Sequence, residues 1–223
     1  MELSIFEVLG PVMIGPSSSH TAGAARLARV AAIIAGKEFD RVYFGLSGSF
    51  AKTGRAHGTY QALLAGALGF HTDDERLRNA YAEAEKRGVV FDFQEEDLEE
   101  VHENAVHICF FHANGEKSNI LGASVGGGRI SIRRIGELET EITATNPTMV
   151  VYYQDRPGCI SEVSRVLAEK EINIAVMRVS RTSKGGYATA VIETDESFPA
   201  DVVKAVRQVN EVTEVIIVDV PEF

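Results

Sequence analysis

Apolar residues recur along this chain with two different rhythms, and the place where one gives way to the other marks its organisation. From Ala22 to Gly36 alanine and larger apolar residues run almost without a break, with Arg26 and Arg29 on one side, which predicts a closely packed helix capped by Gly36. Arg41–Leu46 has a strand pattern, and Gly58 to Leu68 returns to a small-residue helix closed by Gly69. Thr72-Asp73-Asp74-Glu75 opens a charged helix that ends at Lys86-Arg87-Gly88, acids first and cations last, as the helix dipole favours. Val106 to Ala113 and Ser118 to Ser124 flank Asn114-Gly115, two residues that tolerate positive φ, so they predict a hairpin. Gly126-Gly127-Gly128 precedes a further strand, Arg129 to Ile135, and either lines a pocket or makes a turn.

Beyond a short linker at Ala144 to Pro147 the rhythm changes. Thr148–Gln154 reads as a strand, Cys159–Lys170 as a helix with Ile160, Val163, Val166 and Leu167 inward, and Ile172–Ser180 and Tyr187–Glu193 as strands around Lys184-Gly185-Gly186. A helix over Pro199–Val209 and a strand over Val212–Asp219 complete the order βαββαβ. The expected fold class is therefore α+β, with a mixed α/β domain over residues 1–146 and a ferredoxin-like unit over 148–223.

The 223 residues, 45% of them hydrophobic, suffice for two small cores. Asp and Glu number 32 against 22 Lys and Arg, a net charge of −10, and no basic cluster interrupts the acidity, so a nucleic-acid footprint is missing. The opening residues Met1 to Glu7 carry neither a basic region nor a long apolar stretch, which argues against a signal peptide or a membrane span and for a cytoplasmic protein. Cys109 lies in the apolar run His107–Phe111 and reads as a buried free thiol, whereas Cys159 follows a Pro-Gly turn at a helix start, where the dipole would lower its pKa and make it mildly reactive, although a lone thiol of this kind is more often structural. Two cysteines and no C-x-x-C pair leave this chain unable to hold an iron–sulfur cluster by itself, and no other metal site is expected on it.

Two polar runs carry the candidate chemistry. In Gly15-Pro16-Ser17-Ser18-Ser19-His20-Thr21, consecutive hydroxyls and exposed amides precede an apolar helix, an arrangement suited to a carboxylate or phosphate. A plain N-cap needs one serine and does not need three with a histidine beside them. The second run, Gly48 to Thr59, adds Lys52, Thr53, Arg55, His57, Gly58 and Thr59. It is neither G-x-x-x-x-G-K-[ST] nor G-x-G-x-x-G, so nucleotide binding is not supported. His57, flanked by small residues, is the general acid or base candidate by type, with an ordinary surface histidine as the competing reading. His107 and His112 are an odd number of residues apart on one strand and face opposite sides, and with His102 upstream they make no metal face. In the C-terminal unit Asp155-Arg156-Pro157-Gly158 and Asn173 form either a tight turn with strand pairing or an amino-acid site, of the kind built between two copies of such a unit.

Taken together, Gly10-Pro11 through Gly23, Thr53-Gly54-Arg55-Ala56-His57-Gly58-Thr59 and the Gly126 run resemble the β chain of bacterial iron–sulfur-dependent L-serine dehydratase. The resemblance implies a first domain similar to the allosteric substrate-binding domain of phosphoglycerate dehydrogenases and, from Thr148, an ACT domain. It implies conversion of L-serine to pyruvate and ammonia at a [4Fe–4S] cluster held by cysteines of a partner α chain, with one open iron binding the serine hydroxyl. Ser17, Ser18, Ser19, His20 and Thr21 would then hold the substrate carboxylate, joined by Lys52, Thr53, Gly58 and Thr59, and His57 or His20 would transfer the proton. Asp155, Pro157, Gly158 and Asn173 would form the ACT ligand site, and the ACT domain would pair two copies within a heterotetramer. This chain departs from the family at Arg55-Ala56, where Lys-Gly is usual, at Tyr60, where Asp is frequent, and at His102-Glu103-Asn104, where His-Pro-Asn is usual. The alternative from another class is a regulatory protein that senses serine and performs no chemistry.

Overall fold

Alternation along β1 (Arg41–Leu46) shows how the first sheet is built, because Val42, Phe44 and Leu46 are fully buried while Arg41 is exposed. The computed structural model describes residues 12–36, 38–98 and 102–220. Gly10, Pro11, the first residues of the chain and its last three lie outside that description. The chain divides into two compact units between Gly136 and Glu137.

Six strands form the first sheet: β1, β2 (Val90–Glu95), β3 (Ala105–Phe111), β4 (Lys117–Gly126), β5 (Arg129–Ile135) and β6 (Leu138–Ile142), in the order β2-β1-β3-β4-β5-β6. β2 runs parallel to β1, and the β1–β3, β3–β4 and β4–β5 pairs are antiparallel. The sequence reading assigns no element to β2 or β6. β2 earns its place through long-range partners, since Phe93 stacks on Phe44 with centroids 4.8 Å apart and on Tyr60 at 4.7 Å. Tyr60 is thus a packing residue.

Helix α1 (Ala24–Ala35) ends at Gly36 with φ +67°, as expected, and lies against β3, β4 and β5. It pairs with α3 (Thr59–Ala67) through small residues. At Gly66 the two backbones nearly touch: a Cβ there would lie 2.0 Å from the Ala25 carbonyl oxygen. The charged segment begins later as an α-helix than its pattern predicts. Asp74 accepts from Arg76 N, a 3₁₀ turn spans Glu75–Asn79, and α4 occupies only Ala80–Lys86. In the Asn114-Gly115 turn only Gly115 has positive φ, and Asn114 acts through its side chain, accepting from Glu116 N at 3.0 Å.

The second unit has the expected βαββαβ order: β7 (Thr148–Gln154), α5 (Cys159–Glu169), β8 (Ile174–Arg181), β9 (Tyr187–Thr194), α6 (Ala200–Arg207) and β10 (Val212–Val218). Its sheet runs β10-β7-β9-β8 with each neighbouring pair antiparallel. Met149, Val151 and Tyr153 of β7 pack with Val163 and Leu167 of α5 and Val202 and Val206 of α6.

Cys159 corrects one expectation. It starts α5, yet it is buried, and desolvation followed by the nearby Glu211 carboxylate pushes its thiol up rather than down. Cys109 is raised as well, chiefly by burial. Neither thiol should react quickly with a soluble disulfide reagent at about pH 8 in the native protein, and both should titrate after unfolding in urea. One fast thiol in the folded chain would restore the dipole-activated reading of Cys159.

Candidate functional site

Ser17 sets the first half of the site. Its backbone is extended, its hydroxyl accepts from His20 N at 3.1 Å, and its carbonyl accepts from Thr21 N at 2.9 Å and Ala22 N at 3.3 Å. The chain therefore enters α1 through a π-helical turn, Ser18–Gly23. Thr21 is buried, and its hydroxyl donates to the His57 carbonyl at 2.9 Å, which ties the first run to the second.

The second run is more ordered than a loop. Gly48–Thr53 forms a short helix, α2, before the turn that carries Arg55 and His57 into α3. The start of α2 is pinned by backbone. Ser49 N donates to the Glu103 carbonyl at 2.7 Å, and a Cβ on Gly48, whose φ is +54°, would lie 2.5 Å from that same oxygen. Glu103 thus contributes its carbonyl, while its side chain is exposed. Asn104 is tied onward to β4, its carbonyl accepting from Ser124 N at 3.1 Å.

With α2 fixed, Ser49 and Thr53 stand one turn apart on one face and meet the imidazole of His20. His20 Nε2 lies 3.1 Å from Ser49 Oγ and 3.1 Å from Thr53 Oγ1, and Nδ1 lies 3.2 Å from Ser19 Oγ. Phe50 meets the ring edge at 5.3 Å between centroids. The His57 ring is 5.1 Å from that of His20, with Nδ1 3.0 Å from the Thr53 carbonyl. A carbonyl only accepts, so neutral His57 carries its proton on Nδ1 and keeps the Nε2 lone pair, and its side chain is exposed.

Burial, and after it the neighbouring His57, hold His20 below the ordinary histidine value, against an opposing contribution from the Ser49 backbone. A depressed folded pKa means that the folded state resists protonation more than the unfolded chain. The associated stability is complete above the unfolded value of 6.5 and is lost as pH falls through the folded pKa. Thermal unfolding should therefore show a smaller drop in Tm between about pH 7.5 and about pH 5.5 for His20→Gln than for the parent chain. An identical drop in both would remove His20 from the pH dependence.

Of the sequence candidates, Ser17, Ser19, His20, Thr21, Thr53 and His57 come together in the first unit. Ser18 is half-buried in the π turn, and Lys52 is exposed on α2. Gly58 precedes α3 with φ +72°, and Thr59 is fully buried with no hydrogen-bond partner for its hydroxyl among the described residues. Ser49 is the site residue that sequence reasoning passed over; its spacing of four from Thr53 is the signal that helix formation makes meaningful. Gly126, Gly127 and Gly128 all have positive φ in the β4–β5 turn.

In the second unit, Asp155 Oδ2 accepts from Gly185 N at 3.1 Å and Arg181 Nη1 at 2.9 Å, the backbone contact first and the guanidinium after it holding its carboxyl below the usual range. Pro157, Gly158 and Cys159 line a cleft of about 610 Å³ between α5 and α6. Asn173 instead faces the Asp195 carboxylate at 3.5 Å. Among the described residues no group of three or more His, Cys, Asp or Glu side chains could hold a metal ion, and no helix is long and apolar enough to cross a membrane.

Fold and site together define a two-unit α+β chain that carries an ACT domain, whose family profile matches residues 148–211. The profile described as serine dehydratase beta chain matches residues 4–88. The probable L-serine dehydratase beta chain of Bacillus subtilis is 42% identical over 87% of this chain and 88% of its own length. The L-serine dehydratase beta chain of Peptoniphilus asaccharolyticus is 37% identical over 95% and 96%. The chain belongs to the serine dehydratase beta chain family. D-3-phosphoglycerate dehydrogenase of Bacillus subtilis is 29% identical over 72% of this chain and 31% of its own length.

Proposed function

We propose that this chain is the β subunit of an L-serine ammonia-lyase, supplying substrate contacts and a proton acceptor to a site completed by an α chain. The observation that carries the reading is the convergence of the Ser19, Ser49 and Thr53 hydroxyls on the His20 ring, with the His57 ring 5.1 Å away, in a chain whose relatives are named L-serine dehydratase beta chains. The reaction removes the Cα proton and the β-hydroxyl of serine to give aminoacrylate and water, after which tautomerisation and hydrolysis yield pyruvate and ammonia. When bound, a [4Fe–4S] cluster would supply a Lewis acid for the departing hydroxyl. The donor set of this chain does not fit it as a ligand shell, since its two cysteines are buried in separate units, so the cluster is assigned to the α chain.

What this chain's own residues do follows from their hydrogen bonds. His57, oriented by the Thr53 carbonyl, offers Nε2 as the acceptor for the Cα proton. The serine run, with Thr21 beside it in sequence and Lys52 on α2, holds the carboxylate, and Thr21 keeps the two runs in register through the His57 carbonyl. In the second unit Asp155, Pro157, Gly158 and Asn173 bind an amino acid when two ACT domains pair within a heterotetramer. Mixing the chain with an anaerobically assembled α chain should produce pyruvate from serine at a rate that neither chain gives alone. Tight serine binding by this chain without any gain on adding the α chain would instead favour the sensor, the reading that the ACT match keeps open.

A further inference from the structure

The hydrogen bonds around His20 have a direction that can be worked out from groups with a single option. The Ser49 carbonyl accepts and never donates, so the Thr53 hydroxyl, 2.9 Å away, commits its one proton there. At His20 Nε2, 3.1 Å from Thr53 Oγ1, the proton must then sit on the ring nitrogen. Ser49 Oγ, 3.1 Å from Nε2 and 3.3 Å from Thr53 Oγ1, accepts from the ring and donates to the threonine. Burial and His57 disfavour the imidazolium, and a neutral ring with its proton on Nε2 has a bare Nδ1. The Ser19 hydroxyl, 3.2 Å from Nδ1, is consequently a donor to it.

We infer that the Thr53 hydroxyl is a positioning group that fixes His20 in the Nε2–H tautomer and thereby turns the Ser19 proton toward His20. The oxygen of Ser19 is left as an acceptor, which suits the ammonium group of a substrate and not its carboxylate. Ser17 differs: its oxygen accepts from His20 N, and with the Ser19 proton committed to the ring it is Ser17 that donates across the 3.5 Å to Ser19 Oγ. The serine run is thereby divided, with Ser19 an acceptor for the ammonium and Ser17 a donor, whose proton turns from Ser19 Oγ to the carboxylate when substrate binds. This rests on the proposed substrate site, but the tautomer itself exists without substrate or partner.

Nitrogen-15 NMR of the histidine side chains in the full chain, with His20 assigned by comparison with His20→Gln, reads it directly. The expected result at about pH 7.5 is a protonated Nε2 and a bare Nδ1 on His20. Thr53→Val, which keeps the shape and removes the hydroxyl, should mix the two tautomers, and Thr53→Ser should restore the single one. A wild-type His20 carrying its proton on Nδ1, or a tautomer unchanged in Thr53→Val, overturns the inference; the wild-type spectrum decides even if the valine variant does not fold. In the reconstituted enzyme Thr53→Val should lose about tenfold in kcat/KM for serine and Thr53→Ser should recover it. A correct tautomer in a chain that never supports turnover would count against the proposed function and leave this inference standing.

Discussion

With His57 as the proposed base, His57→Gln should lower serine turnover of the reconstituted enzyme by at least about a hundredfold, the usual contribution of a positioned general base. The reason lies in the two ends of one imidazole. Nδ1 is 3.0 Å from a carbonyl, which holds the ring in a single tautomer, and the exposed Nε2 keeps its lone pair for a proton. Glutamine matches much of the shape and can still donate to the Thr53 carbonyl, so the turn should survive; what disappears is the basic nitrogen. The thermal midpoint of the isolated chain should be nearly unchanged. A loss in kcat smaller than roughly threefold would move the base to His20 or to the partner chain.

Gly66→Val produces the largest stability effect, because the atom in its way belongs to backbone. A Cβ at residue 66 lies 2.0 Å from the Ala25 carbonyl oxygen and 2.8 Å from its carbon, inside the seam between α1 and α3. Flexible side chains could step aside; a helix cannot without lifting off its partner. Overpacking of a core costs about 1–3 kcal/mol where side chains can adjust, and here the value should sit at or above the top of that range, a large part of a small domain's stability. Denaturant unfolding checks it. A midpoint close to that of the parent chain would mean that the seam is looser than drawn. His20 and Thr21 lie on the turn that runs into α1, so residual folded Gly66→Val should also lose turnover.

Much of the architecture is legible because it is written locally. The βαββαβ order of the second unit follows from alternating strands, an amphipathic helix after Pro157-Gly158, and turn residues at each change of direction. The helices α1 and α3 were equally plain from their small-residue runs and closing glycines. β2 and β6 were not, since Val90–Glu95 mixes acids with two phenylalanines and becomes a strand only by pairing with β1 and stacking on Phe44 and Tyr60. Cys159 stays open between a dipole-activated and a structural thiol in the sequence, because a helix start argues for a low pKa, whereas burial, which local sequence does not report, argues more strongly for a high one and decides for the structural reading.

For the site, the sequence by itself determined the inventory: two hydroxyl-rich runs, two histidines, and too few cysteines for a cluster of its own. Those are properties of residue type and count, and no fold was needed to read them. Only the tertiary structure decided how they act, because the bonds to His20 Nε2 and to the His57 carbonyl come from residues 29 to 36 positions away in the chain. Those to Nε2 come from a helix whose start is held by a glycine pressed against the Glu103 carbonyl, and the nearer bonds to Ser19 and Thr53 form only in the turn and helix that fold there. Which ring nitrogen bears a proton depends on whether its neighbour is a carbonyl or a hydroxyl, and that is a matter of position in space, with no counterpart in the order of residues.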